Sequence, residues 1–327
     1  MIGVRARARL GADRVRDALE RVHERLLRRE IDPADVPAHV AIIQDGNRRY
    51  ARERGGEPTD GHRAGAEATE RVLSWCADLG VEELTLYAFS TENFDRPDDQ
   101  LTTLFDLIES KLREFADADE VHERRVRVRA IGDVARLPPR VQDAVAYAEE
   151  RTAGYDEFTL NVALAYGGRA ELLEAARAVA RDVASGDLAP AAVDADEVER
   201  RLAGPVVRDV DLIVRTGGDE RTSNFLPWQA AGNEAAVFFC APYWPSFSKV
   251  DLLRGVRTYQ AREESWRASR AERAAALVGA VGETSAAEAR AAVGRLRGRL
   301  SGRAARAAEE ALPDAEEPTD SLGEGTG

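Results

Sequence analysis

The feature that most constrains this chain is an alternation: short β-rich apolar runs recur through its middle, and most are separated by stretches of helical periodicity. The runs are HVAII (39–43), VEELTLYAF (81–89), VRVRAIG (126–132), EFTLNVALAY (157–166), VDLIVR (210–215) and EAAVFFC (234–240). Helical patterns near 62–79, 100–118, 139–153, 168–184 and 248–268 lie between or after them. A strand that must return to pair in parallel needs a crossover of helix length, so this order predicts an α/β fold with a six-stranded, mainly parallel sheet flanked by helices. Its extent, 36–268, reads as one catalytic domain, with SGDLAPAAVDADEV (185–198) a surface excursion.

The flanks differ. Residues 1–35 read as a helical extension, with Val15, Leu19, Val22 and Leu26 forming a heptad-like apolar stripe among nine arginines and five carboxylates in the first thirty residues. Residues 269–327 read as helical and then as a disordered acidic tail, LPDAEEPTDSLGEGTG. No apolar run suits a membrane span or a signal peptide, which predicts a cytoplasmic protein. Cys76 and Cys240 stand far apart inside apolar runs, in a pattern that suits neither a disulfide framework nor a zinc site.

Charge narrows the partners. The net charge of −13 disfavours non-specific binding of nucleic acid or anionic lipid, so any anion site must be local. Only Lys111 and Lys249 are lysine, leaving 44 of the 46 basic residues as arginine. Together with abundant Asp, Glu and Ala this suggests a halophilic source, although a GC-rich genome gives the same Arg and Ala bias.

In such sheets ligands bind beyond the carboxyl ends of the strands, and three of these junctions are polar. After 39–43 come Asp45, Gly46, Asn47, Arg48 and Arg49, opening a helix. Gly46 lets a ligand approach the backbone, free N–H groups at a helix start favour an anion, and Arg49 offers a bidentate fork. Asp45 would repel that anion unless a cation lay between them, which points to Mg²⁺. The same Asp-Gly-Asn is also ordinary turn chemistry. After 81–89 come Ser90, Glu92, Asn93, Phe94 and Arg96, which read equally as a cap and loop. After 210–215, Arg215, Arg221 and Ser223 surround the Gly217–Gly218 turn, a second phosphate candidate, with pairing of the arginines to Asp211 and Asp219 as the other reading. The chain lacks a P-loop Lys-Ser/Thr and a post-strand GxGxxG, which excludes the usual ATPase and nicotinamide signatures. His62 opens the next helix, as a cap or facing the same sheet edge, and His39 opens the first strand in an anchoring position.

Taken in order, HVAIIQDGNRRYA, GHRAGA, LTLYAFSTENFDRP, FTLNVALAYGGR, DLIVRTGGDERTSNFLPWQ and YWPSF resemble the cis-prenyltransferase family, which includes undecaprenyl and dehydrodolichyl diphosphate synthases. The resemblance runs from about His39 to Glu264. It implies a homodimer with a hydrophobic tunnel, and Mg²⁺-dependent sequential condensation of isopentenyl diphosphate onto an allylic diphosphate primer, geranylgeranyl or farnesyl diphosphate. The product implied is a long polyprenyl diphosphate, precursor of a glycosyl carrier lipid, with peripheral membrane contact for its release. By position, Asp45 resembles the family's metal-associated aspartate, and Gly46, Asn47, Arg48 and Arg49, with Tyr50, its allylic diphosphate cradle. Arg215, Arg221 and Ser223 resemble its isopentenyl diphosphate site, Glu234 its auxiliary metal ligand, and His62, Ser90, Asn93, Phe94 and Arg96 the lining of its reacting centre. The proton lost in the reaction has three candidate acceptors: Asp45, Asn93 with His62, or the departing diphosphate.

Departures matter as well. Arg48 and Tyr50 replace a glycine and a tryptophan common in bacterial members, which shifts the expectation toward a dolichol-type carrier of archaeal kind. Pro58 stands where bacterial members often carry a phosphate-binding arginine. The rival trans-prenyltransferases need paired DDxxD motifs, absent here. A non-catalytic partner subunit is the other rival, and such subunits typically lose parts of the first or third motif that are intact here.

Overall fold

A computed structural model describes residues 21–202, 208–232 and 235–281. The six strands are β1 (His39–Ile43), β2 (Glu83–Tyr87), β3 (Val126–Ile131), β4 (Phe158–Ala163), β5 (Leu212–Arg215) and β6 (Ala236–Phe239). They form one sheet in the order β3-β4-β2-β1-β5-β6, and every pairing is parallel. The expected mixture is therefore wholly parallel here. All six strands are shorter than or equal to the runs that predicted them, because the ends of those runs continue as loop at the sheet edge.

The helices are α1 (residues 21–30), α2 (Asn47–Glu53), α3 (Pro58–Leu79), α4 (Asp98–Asp117), α5 (Asp119–Glu123), α6 (Pro139–Thr152), α7 (Gly168–Ser185), α8 (Ala195–Glu199), α9 (Pro227–Gly232) and α10 (Lys249–Val281). Helix α3 starts four residues before the periodicity does, because Glu57 and Asp60 form a reciprocal capping box around Pro58.

Strand β1 is buried along its whole length, and its alternate side chains serve two cores. Val40 and Ile42 join Leu84, Leu86, Leu212 and Val214 under α3 and α10, whereas Ala41 and Ile43 join Ile213, Ala163, Phe225 and Leu226. This two-faced burial is what a parallel sheet covered on both sides requires. A third core, between α4 and α6, centres on Phe89, Phe105, Leu137 and Val141.

At the opposite end of β1, His39 is fully buried. Its Nε2 pairs with Thr85 Oγ1 at 2.8 Å and its Nδ1 with the Arg208 carbonyl at 2.8 Å. Burial lowers its pKa, so the ring is a neutral anchor. The expected terminal stripe is not covered at the two positions the structure describes. Val22 and Leu26 are both exposed, and the buried face of α1 and its exit runs through Leu27 and Ile31. Val15 and Leu19 lie outside the described residues, as does the chain beyond 281. Cys76 and Cys240 are free and buried, with thiols pushed up to about 12 by burial.

By internal packing the chain divides into Met1–Gln260 and Ala261–Gly327. In the second unit Arg262 and Arg270 flank the ring of Trp266.

Candidate active site

The loops after β1, β2 and β5 meet at the carboxyl edge of the sheet, because β1 lies between β2 and β5. Asp45 stands at their junction. Arg215 Nη2 donates to its Oδ2 at 2.7 Å, and Arg49 Nη2 donates to its Oδ1 at 3.0 Å. The two arginines that the sequence assigns to different phosphate sites therefore share one carboxylate. Partial burial pushes the Asp45 pKa up, but the two guanidinium groups outweigh it and hold the carboxyl below its ordinary value of 3.8. The Asp45 N–H donates to Thr216 Oγ1 at 3.0 Å, and the Thr216 hydroxyl donates to the Asp45 carbonyl at 2.8 Å, which pins the loop after β1 to the one after β5.

Gly46 caps α2 with φ of +101°, and a Cβ there would lie 2.5 Å from Cδ1 of Tyr243. Only glycine fits both the left-handed backbone and the aromatic neighbour. From this cap, α2 presents Arg48, Arg49 and Arg52 to a cleft of about 520 Å³, which Gln44, Asp45, Asn47, His62 and Arg96 also line. Arg48, Arg52 and Arg96 have no carboxylate partner among the described residues, so the cleft carries uncompensated positive charge. Burial first, and the Arg48 charge second, lower the Arg96 pKa. Burial, then Arg96 and Arg48, bring His62 down to about 4, so its imidazole is neutral at pH 7.

The cleft continues inward. Gln44, Asn47 and His62 line both it and an apolar cavity of about 160 Å³ between the sheet, α3 and α4, walled by Leu86, Leu104, Ile108, Leu112, Val162 and Leu164 among others. This cavity lies where the resemblance leads one to expect the mouth of a hydrophobic tunnel. Asn47 packs tightly against α3, where a Cβ on Gly65 would come within 2.5 Å of Asn47 Oδ1. That Oδ1 is buried with no hydrogen-bond partner among the described residues.

The third junction is strained. Ser223, Asn224 and Leu226 have φ of 48°, 61° and 47°, unusual for residues other than glycine. The segment is held by burial of Phe225, whose ring stacks on Tyr87 at 4.5 Å and meets Tyr166 edge-on at 6.0 Å. The N–H groups of Gly168 and Arg169 donate to the carbonyl and side-chain oxygens of Asn224, at 3.0 and 2.8 Å. Arg215 Nη1 donates to the Arg221 carbonyl at 2.7 Å and to the Ser223 hydroxyl. The pairing to Asp211 weighed from the sequence does not form. Asp211 accepts the N–H groups of Ala38 and His39, whereas Asp219 lies 3.3 Å from Arg215 and 3.2 Å from Arg221.

Of the residues singled out by sequence, Asp45, Gly46, Asn47, Arg48, Arg49, His62 and Arg96 line the cleft, Arg215 pairs with Asp45, and the Arg221 carbonyl and Ser223 hydroxyl in turn accept from Arg215. Others sit elsewhere. Tyr50 does not line the cleft, since its ring stacks under Arg54, 3.6 Å from the guanidinium carbon. Ser90 and Asn93 cap the short helix Thr91–Asp95 reciprocally, Asn93 Oδ1 accepting the Ser90 N–H at 3.0 Å. Phe94 is not among the residues that line the cleft; it packs edge-on against Phe89, tilted against Phe105, and beneath the Arg136 guanidinium. Glu234 lies outside the described residues.

The sequence reading missed Arg52 and Tyr243. Arg52 was legible, one helical turn after Arg48. Tyr243 was not, because its role against Gly46 and 5.3 Å from the Arg49 guanidinium comes from a contact across nearly two hundred residues.

Comparison with known proteins fits this geometry. Residues 43–267 match the family model described as "Putative undecaprenyl diphosphate synthase". A Halobacterium salinarum protein named tritrans,polycis-undecaprenyl-diphosphate synthase (geranylgeranyl-diphosphate specific) is 70% identical over 287 residues, covering 88% of this chain and 94% of the relative. A Haloarcula marismortui protein of the same name is 59% identical over 278 residues, covering 85% and 91%. Among solved structures, lavandulyl diphosphate synthase from Lavandula x intermedia, in complex with dimethylallyl diphosphate, superposes with a TM-score of 0.63 at 33% identity, covering 69% of this chain and 96% of that one. With its sheet order, its cleft and these relatives in agreement, the chain belongs to the undecaprenyl diphosphate synthase family of cis-prenyltransferases.

Proposed function

We propose that this prenyl transferase elongates geranylgeranyl diphosphate with isopentenyl diphosphate, adding cis units to make a long polyprenyl diphosphate. One observation carries the reading: a cationic cleft adjoins an apolar cavity, the two sharing Gln44, Asn47 and His62 as a common wall. That is the shape of a ligand with a diphosphate head and a hydrocarbon tail. The names of the relatives support the geranylgeranyl primer over farnesyl diphosphate, and they favour an undecaprenyl product over the dolichol-type one expected from Arg48 and Tyr50. The intact Asp45, Arg215 and Gly217 argue against a non-catalytic subunit.

In the proposed mechanism, Arg48, Arg49 and Arg52 and the free N–H groups at the start of α2 bind the primer diphosphate, while Arg215, Arg221 and Ser223 bind that of isopentenyl diphosphate. The isopentenyl double bond attacks the allylic carbon, its carbon–oxygen bond breaks, and the diphosphate leaves with charge that the guanidinium groups stabilise. A proton then leaves the condensed unit. Of the three residues lining both compartments, only His62 can accept and carry one, and its neutral form suits that role. Asp45, held ionised by two arginines, is a poor base. It is a suitable hard oxygen ligand for Mg²⁺, an ion usually bound by one or two carboxylates together with substrate phosphates. When bound, Mg²⁺ supplies positive charge to the departing diphosphate.

The reading includes a homodimer, supported by the exposed Val237 on the edge strand β6, and function in molar salt, supported by the net charge of −13 and the halophilic relatives. No helix among the described residues is long and apolar enough to cross a membrane, so contact with the membrane during product release is peripheral in this reading. The test is incubation of purified protein with labelled isopentenyl diphosphate, Mg²⁺ and each primer, in low and molar salt, followed by chain-length analysis. A long cis product from geranylgeranyl diphosphate is expected; the absence of incorporation by folded protein under every condition refutes the proposal.

A further inference from the structure

Helices α3 and α4 each follow a strand whose carboxyl end is at the cleft, so both descend from the cleft toward the far edge of the sheet. The apolar cavity descends between them. Glu70 lies eight residues after His62 on α3, about 12 Å of helix. At that depth Lys111 of α4 reaches across to it, with Nζ 3.3 Å from Glu70 Oε1 and 2.8 Å from a carboxylate oxygen of Glu114. Glu70 and Lys111 both line the apolar cavity. Below them is a second, smaller cavity of about 130 Å³, where Leu73, Ala118 and Val121 stand beside the carboxylates Glu114 and Glu120, and which shares Glu70 and Phe115 with the first. The order along the two helices is therefore a charged cleft, an apolar chamber, and at its deep end the Glu70–Lys111 pair with a smaller, carboxylate-rimmed chamber beyond.

We infer that the Glu70–Lys111 pair is a polar barrier across the hydrocarbon path, and that it sets the chain length at which elongation slows. This rests on the proposed polyprenyl synthesis. With the diphosphate head fixed in the cleft, each added unit drives the tail end deeper. A short tail occupies only the first chamber. A longer one must pass ionised groups, displacing the water and the partner that stabilise them, which hydrocarbon cannot replace. An exposed ion pair adds little to stability, so holding two helices together does not require it. Lys111 is also one of only two lysines in an arginine-rich chain. A compact ammonium on a flexible stem can swing aside, as a planar guanidinium engaged at several points does less readily.

The test compares the unaltered protein with Lys111→Leu, with Glu70→Leu/Lys111→Leu, and with the swapped Glu70→Lys/Lys111→Glu, each verified as folded by circular dichroism. Products are sized at fixed substrate concentrations. The double leucine variant is expected to shift the most abundant product upward by at least one isoprene unit, and the swapped pair to return it toward the original length. A second readout needs no turnover: equilibrium binding of unreactive polyprenyl alcohols of four and nine units. The double variant is expected to bind the nine-unit alcohol several-fold more tightly and the four-unit alcohol as before. Identical product lengths across the set, or an equal change in affinity for both alcohols, overturns the barrier. If the unaltered protein makes no polyprenyl product at all, the proposed function fails, and the alcohols still decide whether the barrier exists.

Discussion

Replacing Asp45 with alanine separates the energetics of the resting site from its chemistry. Arg215 is almost completely buried, with its side chain 4% exposed, and its strongest partner is Asp45 at 2.7 Å. Removing one member of a buried pair typically costs about 3–5 kcal/mol, because the remaining charge is left uncompensated. Here Asp219 stays 3.3 Å from Arg215, Arg49 is a third exposed, and Asp45 itself is 28% exposed. Discounting for solvent and for the remaining partner brings the expected loss to about 1–2 kcal/mol. For a domain of this size that is roughly 2–8 °C in melting temperature, with the fold retained. Turnover should fall far more, by about 10²–10³, the usual effect of deleting a preorganised group that stabilises transition-state charge. The assay is thermal melting in parallel with steady-state kinetics at saturating Mg²⁺. The pH dependence supplies an independent sign. The Asp45 pKa is depressed in the folded state, so its contribution to stability is present above 3.8 and is lost as pH falls through the lower folded value. Asp45→Ala should therefore be less stable than the parent at pH 7 and converge with it below about pH 4. Parental turnover in a folded variant would refute the assignment of Asp45, and a stability gap that persists in acid would refute the ion-pair account.

Three further outcomes follow from the geometry. Gly46→Ala meets Tyr243 and a left-handed backbone at once, so it should lose about 1–3 kcal/mol of stability and weaken primer binding; primer affinity equal to the parent's would show that the cap is not part of the cradle. Phe225→Ala removes the ring that holds the strained 223–226 turn, costing about 3–5 kcal/mol. Phe225→Tyr preserves the stack, and the alanine variant alone should raise KM for isopentenyl diphosphate more than KM for primer, as initial rates would reveal. His62 titrates near 4 when folded against 6.5 when unfolded, so it favours the folded state fully above pH 6.5 and loses that contribution as pH falls toward 4. His62→Gln should flatten urea-melt stability over that window by about 3 kcal/mol; an unchanged slope would mean that the ring is charged in the fold.

The division between sequence and tertiary structure follows from the range of the forces involved. Strand and helix order was readable because periodicity is local: HVAII is apolar on both faces, and a parallel sheet buries both faces. Gly46, Arg49 and Arg215 were readable as anion-binding types at strand ends, where the topology places ligands whatever the details. The capping roles of Ser90 and Asn93 were also in view, since a capping box is written within four residues. The covered side of α1 was not legible, because a heptad pattern says which residues could share a face but not which neighbour covers them; Leu27 is buried and Leu26 is not. Tyr50 was placed in the cradle by its position in a motif, yet its ring found Arg54 instead. Only the tertiary structure showed that Asp45 is shared by Arg49 and Arg215, that Tyr243 closes over Gly46, and that Glu70 and Lys111 meet across the cavity. Each of those joins groups from different elements. Sequence determined which chemical groups this chain carries and the order of its strands; packing of the sheet determined which charges meet, because electrostatic and steric contact act over a few ångströms of space and take no account of separation along the chain.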